Sequence, residues 1–159
     1  MDAEAAAQYI AYARDDERAS TFLWGTRFKE TAGNRSPVYN YWWTHVPPGS
    51  DTTNPIEPAN GVGVYHGAEK YYLFGNLYGT DRPWTDADHA IADTTSSYVA
   101  NFAATGNPNG RRLPAWPALR TSKPLSMELG DRFATLPAAD SDAKYAFLQQ
   151  YLENQTAAF

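Results

Sequence analysis

A fold mixing α-helices with a few β-strands is predicted by three features of this 159-residue sequence. Apolar residues recur at helical spacing in the Ala-rich start, in the stretch after Thr85 and in the stretch after Asp140. The β-branched and aromatic run Val38-Tyr-Asn-Tyr-Trp-Trp-Thr44 has the length of a strand. Near the end, Leu125-Ser-Met-Glu-Leu129 and Arg132-Phe-Ala-Thr135 flank Gly130-Asp131 as the arms of a hairpin.

Taken in order, the first helix is expected from Asp2 to Arg14, with Ala6, Tyr9, Ile10 and Ala13 at helical spacing. The acidic run Asp15-Asp16-Glu17 reads as a polar break and as a favourable start for a second helix. Ala19, Phe22, Leu23 and Phe28 form that helix's buried stripe, and Thr31-Ala-Gly33-Asn-Arg closes it. The strand at Val38–Thr44 does not alternate apolar with polar residues, which suits cover on both faces. A proline-containing loop, His45 to Asn60, leads into a bend around His66, and residues 69–74 make a short helical turn. Thr85-Asp-Ala-Asp88 resembles a capping box, with Asp in the place usually held by Glu or Gln. The helix it opens should run from Asp86 to Thr105, with Ile91, Thr94, Tyr98 and Phe102 on one face and Gly106 ending it. Asn107-Pro-Asn-Gly110 is a turn and Leu113–Pro117 an extended segment. The last helix, Asp140 to Glu153, should bury Tyr145, Leu148 and Leu152.

Composition narrows the function classes. With 43% hydrophobic and 14% aromatic residues, the chain can build a core and is not a disordered tail. Acidic residues outnumber basic ones, 18 to 13, which argues against a nucleic-acid surface. No apolar run approaches the ~20 residues that span a bilayer. The first residues lack the basic start and apolar core of a signal peptide. There is no cysteine, so thiol nucleophiles, disulfides and thiolate metal sites are excluded. His45, His66 and His89 lack metal-ligand spacing, and neither a metal nor a cofactor is expected. The Asn-x-Ser/Thr triplets at Asn34 and Asn154 are chance matches for a chain of this length.

The chemistry concentrates in Gly61-Val-Gly-Val-Tyr-His-Gly-Ala-Glu-Lys-Tyr-Tyr-Leu-Phe-Gly-Asn-Leu77. Glycines at 61, 63 and 67 let the backbone turn sharply around His66, so the imidazole can point into a cleft. His-Gly-x-Glu followed by aromatics and Phe74-Gly75 resembles the histidine loop of the type-B carboxylesterases. Ser36-Pro-Val-Tyr-x-Tyr41 is similar to the strand before that loop, and Val46-Pro-Pro-Gly49 to the connection after the strand. Ser97-Tyr-Val-Ala-Asn-Phe-Ala-Ala-Thr-Gly-Asn-Pro-Asn109, followed by Trp116-Pro117, resembles the family's tail signature. Four such pieces in order cover most of the chain from Phe22 onward.

The resemblance implies an α/β class, specifically the C-terminal portion of an α/β-hydrolase fold. That portion would hold the last sheet strands, the histidine loop, the C-terminal helices and a hairpin, as one partial domain over residues 1–159. It implies hydrolysis of carboxylic esters, with His66 as the base of a Ser-His-acid triad and Tyr65 and Phe74 as pocket walls. Trp42, Trp43, Tyr71 and Tyr72 fit core packing better than a pocket. No serine here stands in a Gly-x-Ser-x-Gly elbow, and no glycine-rich oxyanion loop is present. The chain would therefore depend on a missing N-terminal portion of the same fold and be nearly inert alone, with a small-molecule ester as the intact protein's substrate. Asp15, Asp16 and Glu17 suit a helix start rather than the triad acid, and Glu69 suits a structural hydrogen bond. His45 reads as a loop-surface residue and His89 as part of a solvated helix. The alternative is a non-catalytic, cholinesterase-like interaction domain, and a free-standing aromatic binding module stands third.

Overall fold

The computed structural model describes residues 2–31, 36–49 and 63–155; the closing turn expected at 32–35, most of the proline-containing loop, Gly61 and Asn34 lie outside the described residues. The elements run α1 (Ala3–Thr31), β1 (Tyr41–Trp43), α2 (Lys70–Leu73), a 3-10 turn (Leu77–Gly79), α3 (Asp86–Thr105), β2 (Leu125–Leu129), β3 (Ala134–Pro137) and α4 (Asp142–Glu153). The strands form one sheet in the order β1-β2-β3. Met127 N–H donates to Asn40 O and Thr44 N–H to Leu129 O, so both partners advance in the same direction and β1 and β2 are parallel. β3 returns beside β2 as the second arm of the hairpin, with Ala138 N–H donating to Pro124 O. The sheet is thus small and mixed. The expected strand at Val38–Thr44 contracts to three residues, and the second hairpin arm begins at Ala134 rather than Arg132.

Two compact units make up the chain: Met1–Trp42 with Pro117–Met127 and Thr135–Phe159, and Trp43–Trp116 with Glu128–Ala134. In the first, α1 is a single 29-residue helix, which corrects the expected break at Asp15-Asp16-Glu17. Acids in mid-helix cost only tenths of a kcal/mol in propensity, about 0.7 at most, so they do not stop a helix as Pro would. Asp15, fully buried, is neutralised instead by Arg14 at 2.9 Å, Arg18 at 3.6 Å and Lys144 of α4 at 2.5 Å. Burial alone would raise its carboxyl, but hydrogen bonds and charge from Arg14 and Lys144 prevail and hold it below the usual value.

Ala19, Phe22 and Leu23 are buried as the spacing requires, whereas Phe28 is 46% exposed and leaves the stripe. Ala19 packs with Ala139 and Leu148, and Phe22 with Leu119 and Ala138. Tyr145 touches both clusters and meets Phe22 edge-on at 5.9 Å. Gly25 keeps α1 close to this core, because a Cβ there would meet Leu119 Cδ1 at 2.9 Å. Burying a side chain such as Phe22 or Leu148 contributes roughly 1.5–3 kcal/mol. Ser141 caps α4 by accepting from Lys144 N–H, which moves the helix start from Asp140 to Asp142.

The second unit is organised by aromatics. Tyr72, with no exposed surface, lies 4.9 Å from the Trp43 ring and 5.7 Å from Trp84, the latter edge-on. Tyr98 meets Trp116 edge-on at 5.3 Å and donates to Pro114 O. α3 has the expected ends: Thr85 and Asp88 form a reciprocal capping box, and Gly106 adopts the left-handed conformation at the close. Its inward face differs. Asp88, Ala92, Thr95 and Tyr98 are buried, while Ile91 and Thr94 are half-buried and Phe102 is 48% exposed. The polar anchors turn the helix, since the Asp88 carboxylate and the Tyr98 hydroxyl both find their partners inside. Among the described residues, no helix is long and apolar enough to cross a membrane.

Candidate functional site

His66 occupies a turn that precedes α2 in the second unit. Gly63 and Gly67 have φ of 77° and 86°, the left-handed region that L side chains rarely adopt, so glycine makes the turn possible. Ala68 N–H donates to Tyr65 O and Lys70 N–H to Gly67 O, and the chain closes over the fully buried Ala68. The imidazole of His66 is left exposed, with no hydrogen bond or ion pair among the described residues. A Cβ at Gly67 would meet nothing within 4 Å among the described residues.

The aromatics singled out in the sequence divide into two groups. Trp43, Tyr71 and Tyr72 are buried in the core, and Trp42 is half-buried. Phe74 is 75% exposed, and Tyr65 is half-buried with its hydroxyl accepting from Arg82 Nη2 at 3.0 Å. Glu69 contributes through its backbone, whose carbonyl accepts from Tyr72 and Leu73 N–H at the start of α2. Its side chain makes no cap hydrogen bond.

His45 is not a loop-surface residue. Its Nε2 lies 2.9 Å from Asp88 Oδ1 and its Nδ1 2.6 Å from Asp131 Oδ1, and its side chain is only 16% exposed. Ionised carboxylates only accept, so the ring satisfies both partners when both nitrogens carry protons. Both ring nitrogens of His45 are thus taken up by carboxylates. Gly130 makes the approach possible: its φ is 132°, and a Cβ there would stand 2.6 Å from His45 N.

Asp88 is the hub of this cluster. Oδ1 accepts from the Tyr72 hydroxyl at 2.7 Å, and Oδ2 from Thr85 N–H at 2.8 Å and the Thr85 hydroxyl at 2.5 Å. Burial pushes its carboxyl upward, but the bonds from Thr85, Tyr72 and His45 outweigh that and bring it to about 2. Tyr72 moves the other way, because burial and the adjacent carboxylate both raise its hydroxyl. Nearby, Arg82 is buried and spreads its guanidinium over Gly49 O at 2.8 Å, Pro48 O at 3.3 Å and the Tyr65 hydroxyl. His89 stands exposed on α3, as its place in a solvated helix requires.

The exposed imidazole in its glycine bend and the ordered pieces around it point to one family, and comparison with known proteins decides the matter. The model of the carboxylesterase family matches residues 17–148. The chain belongs to the carboxylesterase family. It is 31% identical over 136 residues to Carboxylesterase 4A of Bos taurus, covering 82% of this chain and 23% of that protein. It is also 34% identical over 85 residues to the Cocaine esterase of Homo sapiens, covering 53% of this chain and 14% of that one. Carboxylesterase 5A of Homo sapiens is 31% identical over 116 residues, or 67% of this chain and 19% of that protein. The chain thus spans less than a quarter of the length of the curated relatives it matches. Carboxylesterases are serine hydrolases with an α/β-hydrolase fold, and the mixed sheet with its helices is consistent with part of one.

In this carboxylesterase chain the sequence pattern located the histidine bend, but it missed the buried clamp around Asp88. The signal was there in part. Asp in place of Glu in the capping box gives a shorter side chain, held at the helix start where other donors can reach it.

Proposed function

We propose that His66 is the general base of a serine carboxylesterase, and that residues 1–159 are a single partial domain, the C-terminal portion of its α/β-hydrolase fold. The observation that carries this reading is the state of the imidazole: exposed, without a bonding partner among the described residues, and held in a bend by left-handed glycines. Family membership adds to it, since the matched region includes this bend. His45 has both nitrogens engaged by carboxylates, so it does not compete for the role.

The chemistry is the hydrolysis of a carboxylic ester in two halves. A serine from outside this chain attacks the ester carbonyl while His66 takes the hydroxyl proton, and that proton then goes to the departing alcohol. Water, deprotonated by the same imidazole, next attacks the acyl-serine and releases the acid. A carboxylate, also from outside this chain, would hold the ring's tautomer and stabilise the imidazolium. Tyr65 and Phe74 flank the base and would form a wall of the substrate pocket; the 75% exposure of Phe74 fits a side chain awaiting such a neighbour. By itself the chain lacks the nucleophile, and it is expected to hydrolyse esters no faster than free imidazole does.

The test is His66→Asn in the carboxylesterase that carries this chain, assayed with a p-nitrophenyl ester. The expected fall in kcat is at least about a thousandfold. Full retention of kcat would overturn the assignment, and absence of ester hydrolysis in the parent protein would favour the non-catalytic interaction domain.

A further inference from the structure

We infer that Arg82 and the Tyr72–Asp88–His45 chain of hydrogen bonds are positioning residues that fix the His66 bend from its two ends. The inference rests on the reading of His66 as the base. Tyr65, directly before the histidine, accepts at its hydroxyl from Arg82 Nη2 at 3.0 Å. Tyr72, in the helix directly after it, donates at its hydroxyl to Asp88 at 2.7 Å. The two anchor points therefore belong to one short stretch, the connector that ends in the cap of α3. That stretch is itself immobilised. Arg82 also donates to Pro48 O and Gly49 O, while Asp88 is held by both donors of Thr85 and by His45.

Between the anchors the backbone has little slack. Ala68 N–H donates to Tyr65 O, Lys70 N–H to Gly67 O, and Tyr72 N–H to Glu69 O. Tyr72 and Asp88 are 0% and 2% exposed, so the hydrogen bond joining them is shielded from water and strong. Packing alone would be served equally by phenylalanine at 65 and 72. What the hydroxyls add is direction, each pointing at one charged partner. Arg82 suits its place because a planar fork can reach several acceptors at once, which an ammonium on a flexible stem does poorly. A general base works only when its nitrogen is held to roughly 0.5 Å and 10–20° of the productive pose. A misplacement of about 1 Å can cost on the order of a hundredfold in rate.

The experiment compares Tyr65→Phe, Tyr72→Phe and Arg82→Lys with two references, His66→Asn and Tyr98→Phe. Tyr98→Phe removes the hydroxyl bond of another buried tyrosine in the same unit, that to Pro114 O. The first readout is the ring signals of 13C,15N-histidine in this chain, where only three histidines are present and His66 is identified by its loss in His66→Asn. The second is p-nitrophenyl ester hydrolysis per folded molecule in the carboxylesterase carrying the chain. The three variants should shift or broaden the His66 signals and lower kcat roughly tenfold to a hundredfold, leaving KM within about twofold. Tyr98→Phe should lose stability without moving either readout. If Tyr65→Phe and Tyr72→Phe lower stability but leave the His66 signals and kcat at parental values, these residues are core only and the inference fails. Should Arg82→Lys not fold, Tyr65→Phe deletes the same bond by one oxygen and decides the point. If His66→Asn keeps full kcat, the function reading falls instead, and the ring signals still report whether the clamp orders the bend.

Discussion

The Tyr72 hydroxyl and the Asp88 carboxylate, 16 residues apart in sequence, meet at 2.7 Å with almost no solvent on either. The contact joins α2 to the first turn of α3 and places a negative charge inside an aromatic core. Such a charge is tolerated only if donors surround it, and Thr85, Tyr72 and His45 do so.

This arrangement gives a pH dependence whose sign is fixed. The carboxyl of Asp88 sits at about 2 in the folded chain, against an ordinary value of 3.8. A depressed carboxyl contributes stability above its unfolded value and loses it as pH falls through the folded one. Stability from this group should therefore be complete above pH 5 and decline from pH 4 to pH 2, by about 2 kcal/mol in all. Asp88→Asn presents an amide to the Thr85 donors, and should lose roughly 2–3 kcal/mol at neutral pH. Urea unfolding at a series of pH values checks both: the variant should start lower and show a shallower acid decline. An equally steep decline in Asp88→Asn would assign the acid sensitivity to other carboxylates.

Gly130→Ala tests the approach of His45. The added Cβ would stand 2.6 Å from a backbone nitrogen, an atom that cannot swing aside as a flexible side chain can. The φ of 132° adds strain for any L side chain. A loss of about 3 kcal/mol is expected from the two effects together. The histidine ring signals should report release of His45 from Asp131. Parental stability in Gly130→Ala would mean that the hairpin turn relaxes freely.

How far the sequence disclosed this molecule follows from the range of each interaction. The cap at Thr85–Asp88, the stop at Gly106 and the bend at Gly67 are local, set by residues within one turn of each other, and all were legible. The single helix α1 was not, because Asp15 is buried there, and one of the three cations around it, Lys144, is brought near only by tertiary structure. The same holds for the rotation of α3, where burial of Asp88 and its partner at position 72 overrides the hydrophobic pattern. His45 was misjudged for an equivalent reason: both of its carboxylates are far away in sequence. The bend that carries His66 was recognised through pattern rather than physics, since neither its exposure nor its lack of a partner among the described residues follows from spacing.

The cations around Asp15 should not be equivalent. Asp15→Ala leaves the buried Arg18 and the half-buried Lys144 without this anion, and a cost of roughly 3 kcal/mol is expected. Lys144→Met removes one cation of several while keeping an apolar stem, and Arg14 still holds the carboxylate at 2.9 Å. Its cost should be less than half as large. Chemical denaturation of the two variants and their double mutant gives the coupling directly. Equal losses in both single variants would mean that Lys144 alone neutralises the acid.

Thr85 serves two tasks at once, and two substitutions separate it from an ordinary cap. Its hydroxyl accepts from Asp88 N–H at 3.3 Å and donates to Asp88 Oδ2 at 2.5 Å. Loss of an N-cap alone costs about 1 kcal/mol, so Thr85→Ala should exceed that figure because Asp88 also loses a donor and with it some orientation. Thr85→Ser keeps the oxygen and should remain within about 0.5 kcal/mol of the parent. The discriminating measurement is the acid branch of the stability curve. With one donor gone, the folded carboxyl of Asp88 must rise, so Thr85→Ala should begin to lose its Asp88-linked stability at a higher pH than the parent. Thr85→Ser should follow the parental curve. A Thr85→Ala curve displaced downward but parallel to the parent would reduce Thr85 to a helix cap, with no part in holding the Asp88 charge.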